Sequence, residues 1–229
     1  EPVSRLLTSV LPARNLALAE ALPPHEGVLI PCSACYLNHL RVEMETERAP
    51  EQKREINTVL AEEELCYTGG GFVVRHLLEL LGLPAIQKAL AAQTIHPLHE
   101  LSIAPYYGCQ ILRPYARFDA PEHPRSMEPI LHAVGASIHT WALGNACCGA
   151  SLMTTHQPAA LHSVGRILHA AQGAEAIVTV CPMCQLNLEG FQRQALHDFP
   201  EDARIPVLYL PQLLGLALGL TPEDLKLRK

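Results

Sequence analysis

Residues 27–40, GVLIPCSACYLNHL, and residues 176–189, AIVTVCPMCQLNLE, align without a gap at an offset of 149. Each begins as a short β-rich apolar run, passes through Cys-x-x-Cys and a shared Leu-Asn, and continues into a helix-like stretch. Each CxxC therefore sits where a strand hands over to a helix. A second correspondence lies downstream of each copy. FVVRHLLELLGL (72–83) resembles VLYLPQLLGLALGL (207–220), a strand-like run leading into a Leu-rich helix that ends near glycine. A CxxC alone recurs easily, but its recurrence with Leu-Asn and a downstream helix points to one α/β unit present twice.

The second copy can be read outward from its CxxC. LSIAPYYG (101–108) is a strand ending at Cys109. After a loop over 110–125, Ser126 and Glu128 start a helix, SMEPILHAVGA, and ASIHTWAL (136–143) is a strand leading into NACCG. A helix over 151–171 precedes the strand AEAIVTV (174–180) and CPMC. The alternation predicts an α/β fold of two tandem pseudo-repeated units. Their sheets are short and mostly parallel, with the cysteines in loops at the carboxyl ends of strands, where ligands of such sheets gather. The expected division is a first unit over 1–83, lacking its N-terminal part, and a linker over 84–102 with a helix from Pro84. A second, complete unit over 103–220 and a tail over 221–229 follow. Cys109, the pair Cys147–Cys148, and Cys181 with Cys184 each follow a different strand, so five thiols from three loops should converge on one sheet edge.

Composition narrows the class. The chain has 229 residues, 48% apolar and 17% charged, which suits a globular protein of one sizeable domain or two small ones. Only 5% are aromatic, so the core must be largely aliphatic. A net charge of −6 without a basic block argues against nucleic acid as a main partner. The longest uncharged apolar stretch, IPVLYLPQLLGLALGL (205–220), falls short of the roughly 20 residues of a spanning helix and contains Pro211 and Gln212. It reads as a buried strand followed by a helix, and no membrane span is expected. Eight cysteines in a chain this long and helix-rich do not make a secreted disulfide scaffold. A reducing, cytoplasmic setting, with clustered thiols as metal ligands or redox groups, is the expectation.

Zinc in a closed site takes four ligands, which Cys109, one member of the pair and the CxxC would supply. A cubane iron–sulfur cluster also takes four thiolates. Neither needs Cys147 and Cys148 side by side. A larger or more open cluster, with neighbouring irons each wanting a sulfur, would use both, and Gly149 lets the backbone turn sharply enough to aim them together. The CxxC also has the spacing of a redox dithiol, which would not need three more cysteines around it.

A lone Cys, then CCG, then CxxC at these intervals resembles the cysteine-rich CCG domain. The flanking PYYGCQILRPYARFD, CCGASLM, VCPMCQLN and PVLYLPQLLGLALGL resemble the B subunit of heterodisulfide reductase and its bacterial homologues. The resemblance implies two such domains in tandem, each holding a non-cubane [4Fe–4S] cluster on five cysteines, here Cys109, Cys147, Cys148, Cys181 and Cys184. It implies reduction of a disulfide, or oxidation of thiols, at these clusters. It also implies two partners from the same kind of complex, a small ferredoxin-like [4Fe–4S] protein (its C-type subunit) and a flavoprotein (its A-type subunit). Cys32 and Cys35 match the CxxC of the first site, but no CCG precedes them. Subtracting the offset from 147 and 148 lands just before residue 1, and the chain opens on Glu1 rather than Met. The expectation is that the other ligands lie upstream; a degenerate first site, or zinc there, is the alternative.

Other residues carry weaker signals. Cys66 has no counterpart in the second copy and is expected as a small core residue. The twelve histidines show no ligand spacing, but His39 and His76 are candidates to protonate a departing thiolate. Tyr106, Tyr107 and Arg113 flank Cys109 and would either bind an anionic substrate or pack the sheet edge. Glu62–Glu64 reads as a solvated helix face. Two other functions stay open. One is an iron–sulfur electron-transfer subunit of a flavin-dependent dehydrogenase of glycolate, lactate or succinate type. The other is a zinc-held docking subunit.

Overall fold

The computed structural model describes residues 5–23, 26–70, 73–197, 199 and 203–227. Residues 1–77 and 78–229 form two compact units. In the first, α1 (Arg5–Glu20) precedes β1 (Gly27–Ile30), α2 (Ser33–Arg48), α3 (Pro50–Leu60) and β2 (Val73–His76), and α4 (Leu77–Leu81) begins at the last residue of the unit. Phe72, the first residue of the downstream match, lies outside the described residues. β1 and β2 pair in parallel, Gly27 opposite Val73 and Ile30 opposite His76. β2 alternates exposed and buried positions, turning Val74 and His76 inward. α1, for which the sequence offered no repeat partner, packs on α2 and α3 and buries Ala13, Leu16 and Ala17.

The second unit runs α5 (Pro84–Gln93), β3 (Ser102–Tyr106), α6 (Glu128–Ala133), β4 (Ser137–Ile138), α7 (Gln157–Ala170), β5 (Ala176–Thr179), α8 (Pro182–Gly190), α9 (Gln192–Ala195), β6 (Val207–Tyr209) and α10 (Leu210–Ala217). Its sheet has the order β4-β3-β5-β6, every pair parallel. All four residues of β5 are buried, as a central parallel strand covered on both faces requires. Ile103, Val178, Ile130, Leu131, Leu210 and Leu213 form the centre of the core. Each such side chain contributes about 1.5–3 kcal/mol by leaving water. The residues expected as a linker belong to this unit. α5 packs on α6, and Leu90 and Leu98 lie against the core.

The repeat is exact around the CxxC, whereas its downstream match is shifted, with β2 starting at Val73 and β6 at Val207. β1 and β5 start 149 residues apart, and so do α2 and α8. Four expectations change. The strand expected over 136–143 keeps only Ser137–Ile138, because the chain then leaves the sheet to form the CCG loop. The helix expected from 151 starts as a 3-10 turn, Ala150–Leu152, and becomes α-helical only at Gln157, with Pro158 in its first turn. Glu62 and Glu63 lie on an exposed 3-10 turn after α3, with Glu63 bound to Arg14 at 2.6 Å. Cys66 is exposed rather than buried. Tyr67 takes the inward position in that extended segment, fixed by Asn57, which accepts from its N–H at 2.8 Å and donates to its carbonyl at 3.0 Å.

Candidate metal centre

Since β3, β4 and β5 are parallel, their carboxyl ends share one edge, and the loops leaving them carry all five thiols of the second unit. Cys109 follows β3 by three residues. Cys147 and Cys148 lie in the long loop after β4, and Cys181 caps α8 directly after β5. Cys148, Cys181 and Cys184 are buried, Cys109 is half-buried and Cys147 is exposed. The Cys148 and Cys184 sulfurs are hydrogen-bonded at 3.4 Å. Cys109 is hydrogen-bonded to Cys147, and Cys181 to Cys184. Gly108, at φ 68°, lies so close to Cys184 that a Cβ there would stand 3.3 Å from its sulfur. Three loops therefore bring their sulfurs together within the unit.

Charge is distributed unevenly over this set. A hydrogen bond from Cys109 lowers the Cys147 thiol to about 6, helped by the Gly149 N–H, against the cost of burial. Cys148 is lowered chiefly by its hydrogen bond with Cys184, against the cost of burial. Cys109 and Cys184 move upward, because each keeps the proton it shares with a thiolate neighbour. The two thiols of the adjacent pair are thus drawn toward ionisation, and their partners Cys109 and Cys184 away from it. Gly149 makes the adjacency feasible. Its φ of 77° is left-handed, and its N–H reaches back to the Cys147 sulfur at 3.4 Å. A Cβ at this position would lie 2.9 Å from the Ala160 Cα of α7.

The candidates around Cys109 separate. The Tyr106 ring is buried at the carboxyl end of β3, and its hydroxyl donates to the Ala146 carbonyl at 2.7 Å, one residue before the pair. Burial, then the nearby Cys184, Cys148, Cys147 and Cys109, push its pKa well up, so it stays a neutral donor. The Tyr107 hydroxyl accepts from the Met127 N–H at 2.9 Å, and its side chain belongs to the core. Arg113 is a clamp: it donates to the Pro121 carbonyl at 3.1 Å, the Glu122 carboxylate at 2.9 Å and the Asn145 carbonyl at 3.4 Å. Asn145 returns hydrogen bonds to the Pro121 and Glu122 carbonyls. The Cys109 and Cys147 loops are thereby tied together. Sequence reasoning did not single out Asn187, which is buried on α8 and donates to the Cys148 carbonyl at 2.7 Å. The Leu-Asn shared by both CxxC segments was its signal.

In the first unit, Cys32 caps α2 and its sulfur accepts from the Cys35 N–H at 3.5 Å. His39 bonds the Cys35 carbonyl through Nδ1 at 2.7 Å and Asn15 through Nε2 at 3.4 Å. His76 is fully buried, 3.5 Å from the hydroxyl of Ser33, with its ring edge-on to Tyr36. It lies inside the unit rather than on an accessible surface.

Among the described residues no three His, Cys, Asp or Glu side chains form a ready cage for a single metal ion. The thiols instead meet in smaller sets, Cys109 with Cys147 and Cys184 with Cys148 and Cys181, an arrangement suited to a group with several sulfur-binding positions. Soft sulfur donors from three loops, two of them on adjacent residues, fit an iron–sulfur group.

A family profile described as the CCG cysteine-rich domain matches residues 103–189, from β3 to the last turn of α8 and across all five thiols. Over 223 residues the chain is 31% identical to the B subunit of the ferredoxin:CoB-CoM heterodisulfide reductase of Methanosarcina mazei, covering 94% of this chain and 72% of that one. The chain belongs to the family of heterodisulfide reductase B subunits, which are CCG-domain proteins. Within reach of this family is also the 8-methylmenaquinol:fumarate reductase membrane anchor subunit of Wolinella succinogenes. It is 36% identical over 229 residues, covering 98% of this chain and 78% of that one. The crystal structure of a hypothetical protein from Helicobacter pylori shares the fold, with a TM-score of 0.76 at 18% identity. The match covers 98% of this chain and 41% of that protein's. No described helix of the present chain is long and apolar enough to cross a membrane.

Proposed function

We propose that this chain is the cysteine-rich iron–sulfur subunit of a reductase complex, and that it reduces a disulfide or, in reverse, oxidises two thiols. The observation that carries the proposal is the gathering of five thiols from three loops at one edge of a parallel sheet, in a chain whose relatives include named heterodisulfide reductase subunits. Cys109, Cys147, Cys148, Cys181 and Cys184 would hold a non-cubane [4Fe–4S] cluster. Such a cluster supplies single electrons and an iron site open to sulfur, so that a two-electron reduction need not release a thiyl radical. The chain's own groups prepare the site. The buried Tyr106, Cys148, Cys181 and Cys184 keep water from its inner side. Tyr106 and Asn187 fix the loop of the pair from two sides, and Arg113 with Asn145 sets the approach of the Cys109 loop. Cys32 and Cys35 provide a thiol pair for a second site, as cluster or zinc ligands.

Electron delivery falls to partners of the kinds named by the resemblance, a small ferredoxin-like protein and a flavoprotein. A cytoplasmic setting is part of the proposal, in keeping with eight cysteines that all stand as free thiols. The Wolinella relative, named as part of a quinol:fumarate reductase, favours a second reading, an electron relay with no substrate of its own. Anaerobically prepared protein containing zinc but neither iron nor acid-labile sulfide would overturn both readings and leave a docking role. With iron and sulfide present, a candidate disulfide should generate a new paramagnetic signal. An unchanged spectrum at saturating disulfide selects the relay.

A further inference from the structure

The CCG loop has its polar backbone sorted by direction. Along 143–150 the carbonyl of each residue but Cys147 accepts a hydrogen bond. Leu143 takes the Ala146 N–H, and Gly144 takes the N–H groups of Tyr107 and Gly108 at 2.7 and 3.2 Å. Asn145 takes Arg113, Ala146 takes the Tyr106 hydroxyl, and Cys148 takes the Asn187 amide. Gly149 and Ala150 take Leu152 and Met153. The next amide is used in the opposite sense: Gly149 N–H donates to the Cys147 sulfur at 3.4 Å. An amide thus serves a sulfur two residues back, while groups outside the loop hold the Gly144, Asn145, Ala146 and Cys148 carbonyls away.

We propose that Tyr106 and Asn187, as positioning residues, hold this loop so that the Gly149 N–H stays on the Cys147 sulfur, and so raise the reduction potential of the iron–sulfur group. The inference rests on the iron–sulfur role proposed above. The physical reason is charge. Reduction adds negative charge that spreads onto the ligand sulfurs, and donors already aimed at those sulfurs stabilise the reduced form more than the oxidised one. Tyr106 and Asn187 touch neither sulfur through these bonds. They act by fixing the carbonyls on either side of Cys147.

The test uses the full chain, loaded anaerobically with iron and sulfide, as wild type, Tyr106→Phe, Asn187→Leu and the control Tyr107→Phe. The control removes a hydroxyl that binds Met127 and no loop carbonyl. Mediated redox titration followed by electron paramagnetic resonance should show both anchor variants loaded like wild type but harder to reduce. Poised at the wild-type midpoint, their reduced-to-oxidised ratio should fall by about threefold to tenfold, tenfold being about 59 mV for a one-electron couple. Tyr107→Phe should not move it. Anchor variants that load normally and titrate within twofold of wild type overturn the proposal, as does an equal shift in the control. Amide exchange in the iron-free chain gives an independent reading. The 147–150 amides should exchange at least about threefold faster in Tyr106→Phe, with β5 unchanged, and unchanged exchange overturns the anchoring even if loading fails. Wild-type protein that takes up no iron–sulfur group overturns the proposed function and the effect on potential together, while the exchange result still decides the anchoring.

Discussion

Gly149→Ala is the substitution that most directly tests why two cysteines stand side by side here. Gly149 has φ 77°, and an added Cβ would lie 2.9 Å from the Ala160 Cα and 3.3 Å from its Cβ. The first obstacle is conformational, since a non-glycine residue in the left-handed region costs about 1–2 kcal/mol. The second is steric. The Ala160 backbone sits inside α7 and cannot swing away as a side-chain end would, so overpacking adds about 1–3 kcal/mol. The expected loss is about 2–5 kcal/mol. With an m-value of roughly 2 kcal/mol/M, that moves the urea midpoint down by about 1–2.5 M. Trp141 is the only tryptophan, its indole N–H donates to the Pro105 carbonyl at 3.1 Å, and its ring leans on Tyr106, so its fluorescence reports on this unit. Gly190→Ala is the internal comparison. There a Cβ meets only the end of Leu186 at 3.9 Å, and the midpoint should stay level or rise slightly. A Gly149→Ala midpoint within about 0.3 M of wild type would refute the reasoning.

Cys148→Ser should lose or convert the iron–sulfur centre of the second unit while circular dichroism stays close to wild type. Full retention of the native cluster signal would count against Cys148 as a ligand. In iron-free protein, iodoacetamide should label the exposed Cys147 with a half-maximal rate near pH 6, because the thiolate reacts and its hydrogen bond from Cys109 lowers its pKa to about 6. The rate should fall as pH drops through that value, and Cys109→Ala should move the midpoint up toward the ordinary thiol range; mass spectrometry of the labelled peptide checks both. His76→Ala removes a fully buried ring and its contact with Ser33, and should cost about 2–4 kcal/mol in urea unfolding followed by circular dichroism. A cost below about 1 kcal/mol would mean that the first unit closes over the missing ring.

Much of this molecule can be read from its residues because the repeated signals are local. A β-rich run, CxxC and Leu-Asn describe a strand, a capped helix start and the first helical turns, all within fourteen residues. The structure starts β1 and β5, and α2 and α8, at the same offset. Cys66 went the other way because its environment is not local. Whether it or Tyr67 turns inward depends on Asn57, ten residues upstream on α3. The brevity of β4 has the same origin, since the loop leaving it is drawn off by Tyr107 and Gly108, just past β3, through their bonds to the Gly144 carbonyl. The role of Arg113 stayed open in the sequence because its acceptors, on Pro121, Glu122 and Asn145, become neighbours only when two loops meet.

By itself the sequence determined that two α/β units recur, that CxxC falls at each strand-to-helix junction, and that five cysteines of the second unit follow strand ends. Those properties depend on patterns of a dozen residues and on the rule that parallel strands end at one edge. Tertiary structure alone decided which sulfurs touch, that the Cys147 and Cys148 thiols are pulled down in pKa while Cys109 and Cys184 are pushed up, and that Tyr106 and Asn187 grip the loop between them. Hydrogen bonds and pKa values depend on separations of a few ångströms between groups 36 to 40 residues apart, and no local pattern encodes those distances.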